Sequence, residues 1–529
     1  MFSRDRRLFR TTGRPSVRAL VLSAAALALG LSSCTFPSSS SATSASSVPL
    51  PSASNPPAGV TDPATDPALA TFYQQKLTWT DCGDGFQCTK ITVPLNWTKP
   101  AGGSIQIAAT KLPAGGHKLG SMLINPGGPG ASGIEYAKVA KQAFGAAILR
   151  SYDVVGFDPR GIGASDPVEC LPDSQLDAYV AADSTPDNQA ELDASVALVK
   201  QFAAACQAHT GALLGDVDTL STVRDMDVIR AALGDDVLNY HGASYGTYIG
   251  AWYAQTFPWR VGRMVLDGAI DPSLTSAQYV AGQAEGFSRA LNAYVEDCQA
   301  ASECPLRGSL SEGLAQIGTM VDRADATPLR TNEVNRPLTQ NLMVTGIAQA
   351  LYSQSLWPDL TTGLTKAMSG DGTVLLALAD SYLERDDQGH FGQTIAANPA
   401  IFCLDVPETR TPQQIGADAD ELQKKFPPLG GTIGWGALSC AEWPLKAVMP
   451  REKLSAVGAA PILVLGTVDD PATPYEWAQS LASQLSSGRL LTWQGTMHTA
   501  YHQGSSCIDD KVEAYMVTGV EPAVGTRCT

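Results

Sequence analysis

A serine in an unusual local setting is the chain's clearest chemical group. Gly242-Ala243-Ser244-Tyr245-Gly246 follows the β-prone stretch Val237-Leu238-Asn239-Tyr240 and precedes helix-compatible residues from Thr247 to Ala254. A serine between two glycines, at a turn from strand to helix, forms a nucleophile elbow. The turn is too sharp for ordinary backbone angles at the serine, and small neighbours let strand and helix approach. The hydroxyl is lifted above the sheet, where a base and an acyl group can reach it.

Attack on a carbonyl also needs donors for the oxyanion and a base for the serine proton. Ser121 to Asn125 is a short apolar run that ends in Pro126-Gly127-Gly128-Pro129-Gly130. Glycines let such a backbone come close to a substrate carbonyl. The expected oxyanion hole pairs the N–H of Gly128, or alternatively Gly127, with that of Tyr245. Pro461 to Gly466 reads as a buried parallel strand leading to Asp469-Asp470-Pro471-Ala472-Thr473-Pro474, and Arg489 to Trp493 as another leading to His498 and His502. Asp470 is the expected carboxylate because Asp-Pro-Ala-Thr-Pro gives it a rigid turn; Asp469 is the alternative. His498 comes sooner after its strand than His502. The order Ser…Asp…His is that of α/β-hydrolases, in which the histidine relays the serine proton and the aspartate orients the imidazole.

These motifs, with Asp158-Pro159-Arg160-Gly161-Ile162-Gly163-Ala164-Ser165, Val93-Pro94-Leu95-Asn96-Trp97 and a cysteine-bearing C-terminal tail, resemble the secreted tripeptidyl aminopeptidases of actinobacteria. These are relatives of proline iminopeptidases with a TAP-like C-terminal region. The resemblance covers roughly residues 75–529 and is loose between about 280 and 430. It implies an α/β fold, a mostly parallel sheet flanked by helices with a large helical cap inserted before the Asp/His-bearing part. It further implies an exported serine exopeptidase that acts on peptides with a free N-terminus through an acyl-enzyme on Ser244. A carboxylesterase or lipase using the same triad is the alternative. Neither needs a cofactor, and no metal is expected, since the chain has no C-x-x-C pair and no H-E-x-x-H.

Composition agrees with this class. The 529 residues are 44% hydrophobic and 17% charged, with a net charge of −16; nucleic acid is not an expected partner. Arg4, Arg6, Arg7, Arg10, Arg14 and Arg18 precede an apolar run from Ala19 to Leu31, too short for a comfortable membrane span. Leu31-Ser32-Ser33-Cys34 then resembles a lipobox, with lipid on Cys34 as the only expected membrane contact and simple secretion as the alternative. Eleven cysteines less Cys34 leave an even set. Their short separations favour sequential pairing: Cys82–Cys88, Cys170–Cys206, Cys298–Cys304, Cys403–Cys440 and Cys507–Cys528.

The expected organisation is a signal peptide (1–33), a Ser/Pro/Ala-rich tether (34–70), a first core part (71–275), a cap (276–430) and a second core part (431–529). Asp158 and Arg160 are expected to hold their loop rather than touch substrate. Helices are expected over Asp187 to Thr210, Asp218 to Leu233, Ser276 to Gln299 and Leu342 to Met368. Trp357, Trp435 and Trp443 are expected in packing or a cap hinge. A free substrate amine calls for a cap carboxylate; Glu285, Glu296, Asp297 and Asp405 are candidates, and the sequence selects none.

Overall fold

The computed structural model describes residues 49–529. The expected signal peptide, Cys34 and the first part of the tether, up to residue 48, lie outside the described residues. From residue 49 to 70 the chain runs along the core: Ser54 N–H donates to the Trp259 carbonyl at 3.1 Å, Asp62 pairs with Arg260, and Leu69 is buried. The expected tether thus includes a stretch that packs against the protein.

Apolar runs become strands in the order in which they occur. The strands are β1 (Thr80–Asp81), β2 (Gln87–Pro94), β3 (Ser104–Leu112), β4 (Gly120–Asn125), β5 (Tyr152–Phe157), β6 (Leu238–Ala243), β7 (Val261–Asp267), β8 (Ile462–Thr467), β9 (Gly488–Trp493) and β10 (Arg527–Cys528). They form one sheet in the order β1-β2-β3-β5-β4-β6-β7-β8-β9-β10. Pairings from β1 to β5 are antiparallel, and those from β5 through β4 to β10 are parallel. Every residue of β4, β5, β7 and β8 is buried. This is why these segments read as nearly unbroken apolar runs: helices cover both faces of a parallel sheet.

Two apolar cores line those faces. One face buries Tyr240, Ile249, Trp252 and Leu266 against the helices Thr219–Leu233 and Tyr245–Thr256. The other buries Met122, Tyr152, Val265 and Leu491 against the helix Ser506–Thr518.

Between β7 and β8 lies a helical insertion with a core of its own, including Leu291, Tyr294, Ile317, Leu342, Ile347, Leu360 and Leu375. Its first helix is Ser276–Ala300, started by a capping box in which Thr275 and Gln278 satisfy each other's backbone amides. The expected helical stretch from Leu342 to Met368 is two helices, Gln340–Leu351 and Trp357–Met368. Ser353 caps a short turn between them, and Pro358, in the first turn of the second, cannot continue a preceding helix. Trp357 and Trp443 are buried in packing, and Trp435 packs beside Ile415.

All five sequential disulfides form. They fit an oxidising compartment outside the cytoplasm. No helix of the described residues is long and apolar enough to cross a membrane.

Candidate active site

The elbow has the geometry its glycines anticipate. Ser244 follows β6 with φ 54° and ψ −124° and is the cap residue before the helix Tyr245–Thr256. A non-glycine residue held there stores roughly 1–3 kcal/mol of strain, which the surrounding structure must impose. A Cβ on Gly242 would lie 2.4 Å from the Gly246 carbonyl oxygen, and one on Gly246 would lie 2.8 Å from that of Asn125. Only glycine fits at either position.

The glycine loop after β4 lies directly against the serine. Gly127 and Gly128 have φ of 100° and 109°, backbone that L side chains rarely adopt. A Cβ on Gly127 would sit 2.8 Å from Ser244 Cβ and 3.0 Å from Tyr245 N. The Gly127 N–H donates to the buried Asn125 Oδ1 at 2.9 Å. The amides of Gly128 and Tyr245 have no acceptor among the described residues. Of the two expected loop donors, Gly128 is therefore the one left available.

Asp470, fully buried after β8, meets His498 in the loop after β9. The imidazole Nδ1 lies 2.9 and 3.0 Å from the two carboxylate oxygens. A carboxylate only accepts, so Nδ1 carries the proton and Nε2 is left as an acceptor. Oδ1 also accepts from the Ala472 and Thr473 amides at 2.9 and 2.8 Å, and Oδ2 from Thr499 at 3.1 Å. Thr473 Oγ1 lies 3.4 Å from Nδ1. Asp469 instead accepts from Thr496 Oγ1 at 3.3 Å. The His502 amide donates to Asp509 at 2.8 Å, and its ring stacks edge-on against Tyr501.

The end of β7 joins the serine and histidine parts. The Asp267 carbonyl accepts from the Ser244 amide at 2.8 Å. Its buried carboxylate accepts from the Ala500 and Tyr501 amides, both at 2.8 Å. Burial pushes that carboxyl up to about 6, and the two amides oppose the shift. The next residue, Gly268, leaves room for the imidazole: a Cβ there would be 3.4 Å from His498 Cε1. Ser244 Oγ makes no hydrogen bond to His498 in this arrangement, a contact that often closes only when substrate arrives.

The helical insertion reaches the same edge. The Tyr352 carbonyl accepts from the His498 amide at 3.0 Å, and the Tyr352 ring stands edge-on to the imidazole at 5.2 Å. Gly130 lies against Thr394 and Ala397. The buried Asp405 accepts from Thr219 and from the Tyr245 hydroxyl. Asp267, Tyr352, Thr219 and Thr473 were not among the expected site residues. Asp267, the last residue of its strand at the sheet edge that carries the elbow, had a sequence signal; the others had none.

Asp158 and Arg160 hold their loop. Arg160 is fully buried and makes a two-pronged pair with Asp225, 2.7 Å in each bond. Its remaining donors reach the carbonyls of Leu95, Asp216 and Pro94. Asp158 accepts from Ser132 Oγ and from the Ile134 and Ala164 amides, tying the segment after the glycine loop to the Arg160 loop.

Sheet order, elbow and loop placement define an α/β-hydrolase. Residues 425–528 match the family model described as TAP-like protein. The chain is 38% identical to the serine protease Hip1 of Mycobacterium tuberculosis, over 86% of this chain and 91% of the relative. It is 35% identical to a carboxylesterase B of the same species, over 90% and 95%. It is 31% identical to a tripeptidyl aminopeptidase of Streptomyces coelicolor, over 87% of each. The chain belongs to this family of TAP-like α/β-hydrolases, and it is a hydrolase.

Proposed function

We propose that the protein is an exported serine exopeptidase that cleaves peptides near a free N-terminus through an acyl-enzyme on Ser244. The observation that carries this reading is the convergence of the Ser244 elbow, two unoccupied amides and the Asp470–His498 pair at one sheet edge, which the helical insertion between β7 and β8 also reaches through Tyr352. The relatives named serine protease and tripeptidyl aminopeptidase favour peptide substrates. The relative named carboxylesterase B supports the second reading, an esterase with the same triad.

In the first step His498 Nε2 takes the Ser244 proton as Oγ attacks the carbonyl. The Gly128 and Tyr245 amides stabilise the oxyanion. Asp470 holds the Nδ1 tautomer and stabilises the imidazolium. The imidazolium then protonates the leaving amine as the acyl–nitrogen bond breaks. Water, deprotonated by His498, releases the acyl peptide and regenerates the serine. Cys34 is the residue expected to carry a lipid anchor, which would place the enzyme at the outer face of a membrane.

Three aminocoumarin or ester substrates test the reading: a free tripeptide amide, its N-acetyl form and a short acyl ester. Cleavage of the free tripeptide amide at more than about tenfold the rate of its acetylated twin supports the exopeptidase. Turnover of the ester alone moves the function to carboxylesterase. Ser244→Ala and His498→Ala are expected to abolish turnover without unfolding, and Asp470→Asn to lower kcat by roughly 10⁴.

A further inference from the structure

A cavity beside the elbow holds charge that the proposed reaction does not use. This narrow cavity is bordered by Pro129, which follows the Gly128 donor in the glycine loop, and by Tyr245, whose own amide is the other donor. A cavity bordered by these residues adjoins the expected oxyanion position, so the substrate residue nearest to it would be the one whose carbonyl faces Ser244. Tyr248, Tyr279 and Phe402 make its aromatic walls. Tyr245 stacks on Tyr248 at 6.0 Å, and Tyr279 meets Phe402 at 5.0 Å.

Asp405, 1% exposed, is one of the residues that line the cavity. It accepts from the Thr219 amide at 2.9 Å, the Thr219 hydroxyl at 2.6 Å and the Tyr245 hydroxyl at 3.2 Å. These donors are neutral, and no cation among the described residues pairs with it. Buried carboxylates are rare unless paired, and burial pushes this one up to about 7. Asp271 also borders the cavity; burial pushes its carboxyl up, but hydrogen bonds from Ser480, Gln484 Nε2 and the Ser273 amide and hydroxyl outweigh this and hold it below the usual carboxylate range. Against two carboxylates stands one guanidinium, Arg451, which donates to the Tyr248 hydroxyl at 3.5 Å.

The geometry points to Asp405 as the acceptor for a cationic group on the acyl side of the substrate, the ammonium or guanidinium of a lysine- or arginine-like side chain on the residue whose carbonyl Ser244 attacks. The proposal rests on the serine-hydrolase reading of the site. The aromatic walls suit the methylene stem of such a side chain, and their faces attract its charge. The cation would supply the charge partner that Asp405 lacks. The same ammonium chemistry is carried by the α-amine of a one-residue substrate, and the test separates the two.

The experiment compares kcat/KM of the full-length protein on Ala-Ala-Lys-, Ala-Ala-norleucine- and Ala-Ala-Glu-aminocoumarin, with norleucine matching the lysine stem. A charge-assisted contact predicts a preference for lysine over norleucine of about 10- to 100-fold. Asp405→Asn should bring that ratio to about one, whatever happens to the common rate. A wild-type ratio near one overturns the proposal, and this measurement stands even if the variant does not fold. Equal losses on both substrates in Asp405→Asn overturn it too and leave Asp405 as a link to Tyr245 only. Preference for the glutamate substrate overturns it in favour of Arg451. Norleucine-aminocoumarin with a free α-amine is the control for the other source. If Asp405→Asn slows it as much as the lysine tripeptide, the acceptor is for the α-amine and the side-chain assignment falls. The lysine and norleucine pair as aryl esters reads the same cavity if amides are inert, so failure of the peptidase reading is told apart from failure of this one.

Discussion

The proposed nucleophile, Ser244, is positioned by residues that have no functional group. Gly127 is the sharpest case: it touches Ala243, Ser244 and Tyr245 through space that any side chain would fill, and its φ of 100° disfavours any other residue. Gly127→Ala is expected to push the glycine loop off the elbow and misplace the Gly128 amide. Loss of one oxyanion donor costs roughly 10²–10³ in kcat. The check is the rate of fluorophosphonate labelling of Ser244, which should fall by that order while the circular-dichroism spectrum is retained. Labelling at the wild-type rate would show that the loop plays no part in stabilising the oxyanion.

At the scale of elements, the site is an agreement among loops that leave the same sheet edge. β6 brings the serine, β4 the glycine loop, β8 the aspartate and β9 the histidine. Asp267, at the end of β7, ties two of these together, its carbonyl on the Ser244 amide and its carboxylate on the amides after His498. Arg160 does the same for the loop after β5, but farther from the chemistry. With all its hydrogen bonds made inside the protein, its removal leaves Asp225 buried with Trp97 as its remaining side-chain donor. Arg160→Ala is expected to cost about 3–5 kcal/mol of stability, read as a lower urea midpoint. The variant's kcat, measured well below that midpoint, should stay within about threefold of wild type; a large kcat loss at unchanged stability would assign Arg160 to the reaction.

For the whole molecule, buried ionisable groups set the response to acid. His241 lies inside the sheet edge-on to Phe144, with neither ring nitrogen bonded among the described residues. Burial holds it down at about 4. The unfolded chain takes up its proton near pH 6.5, while the folded chain resists until about 4. Stability from this group is therefore present above pH 6.5 and is lost as the pH falls toward 4, by at most about 1.4 kcal/mol per unit. Asp267 and Asp405, raised to about 6 and 7, act in the opposite sense, because the folded state binds their protons first. A His241→Leu variant isolates the histidine: its urea midpoint should fall less than that of wild type between pH 6.5 and 4.5. Parallel curves would mean that His241 does not titrate differently in the two states.

Much of this arrangement was legible in the order of residues, because its signals are local. An elbow needs glycines within two residues of the serine, buried strands need unbroken apolar runs, and a carboxylate or imidazole follows its strand by a few positions. Those rules placed the strands, Ser244, and the loops that carry Asp470 and His498. The sequence preferred Asp470 over Asp469 and Gly128 over Gly127; the hydrogen bonds of Asp470 to His498 join segments far apart in the chain, whereas the one that occupies the Gly127 amide reaches Asn125 only two residues away. The break between Leu351 and Trp357, where one expected helix is two, is marked locally by Ser353 and Pro358. Asp405 was one of four cap carboxylates with equal standing in the sequence. Only the packing of the insertion onto Thr219 and Tyr245 distinguishes it, because desolvation and charge pairing are properties of what surrounds a residue and not of its neighbours in the chain.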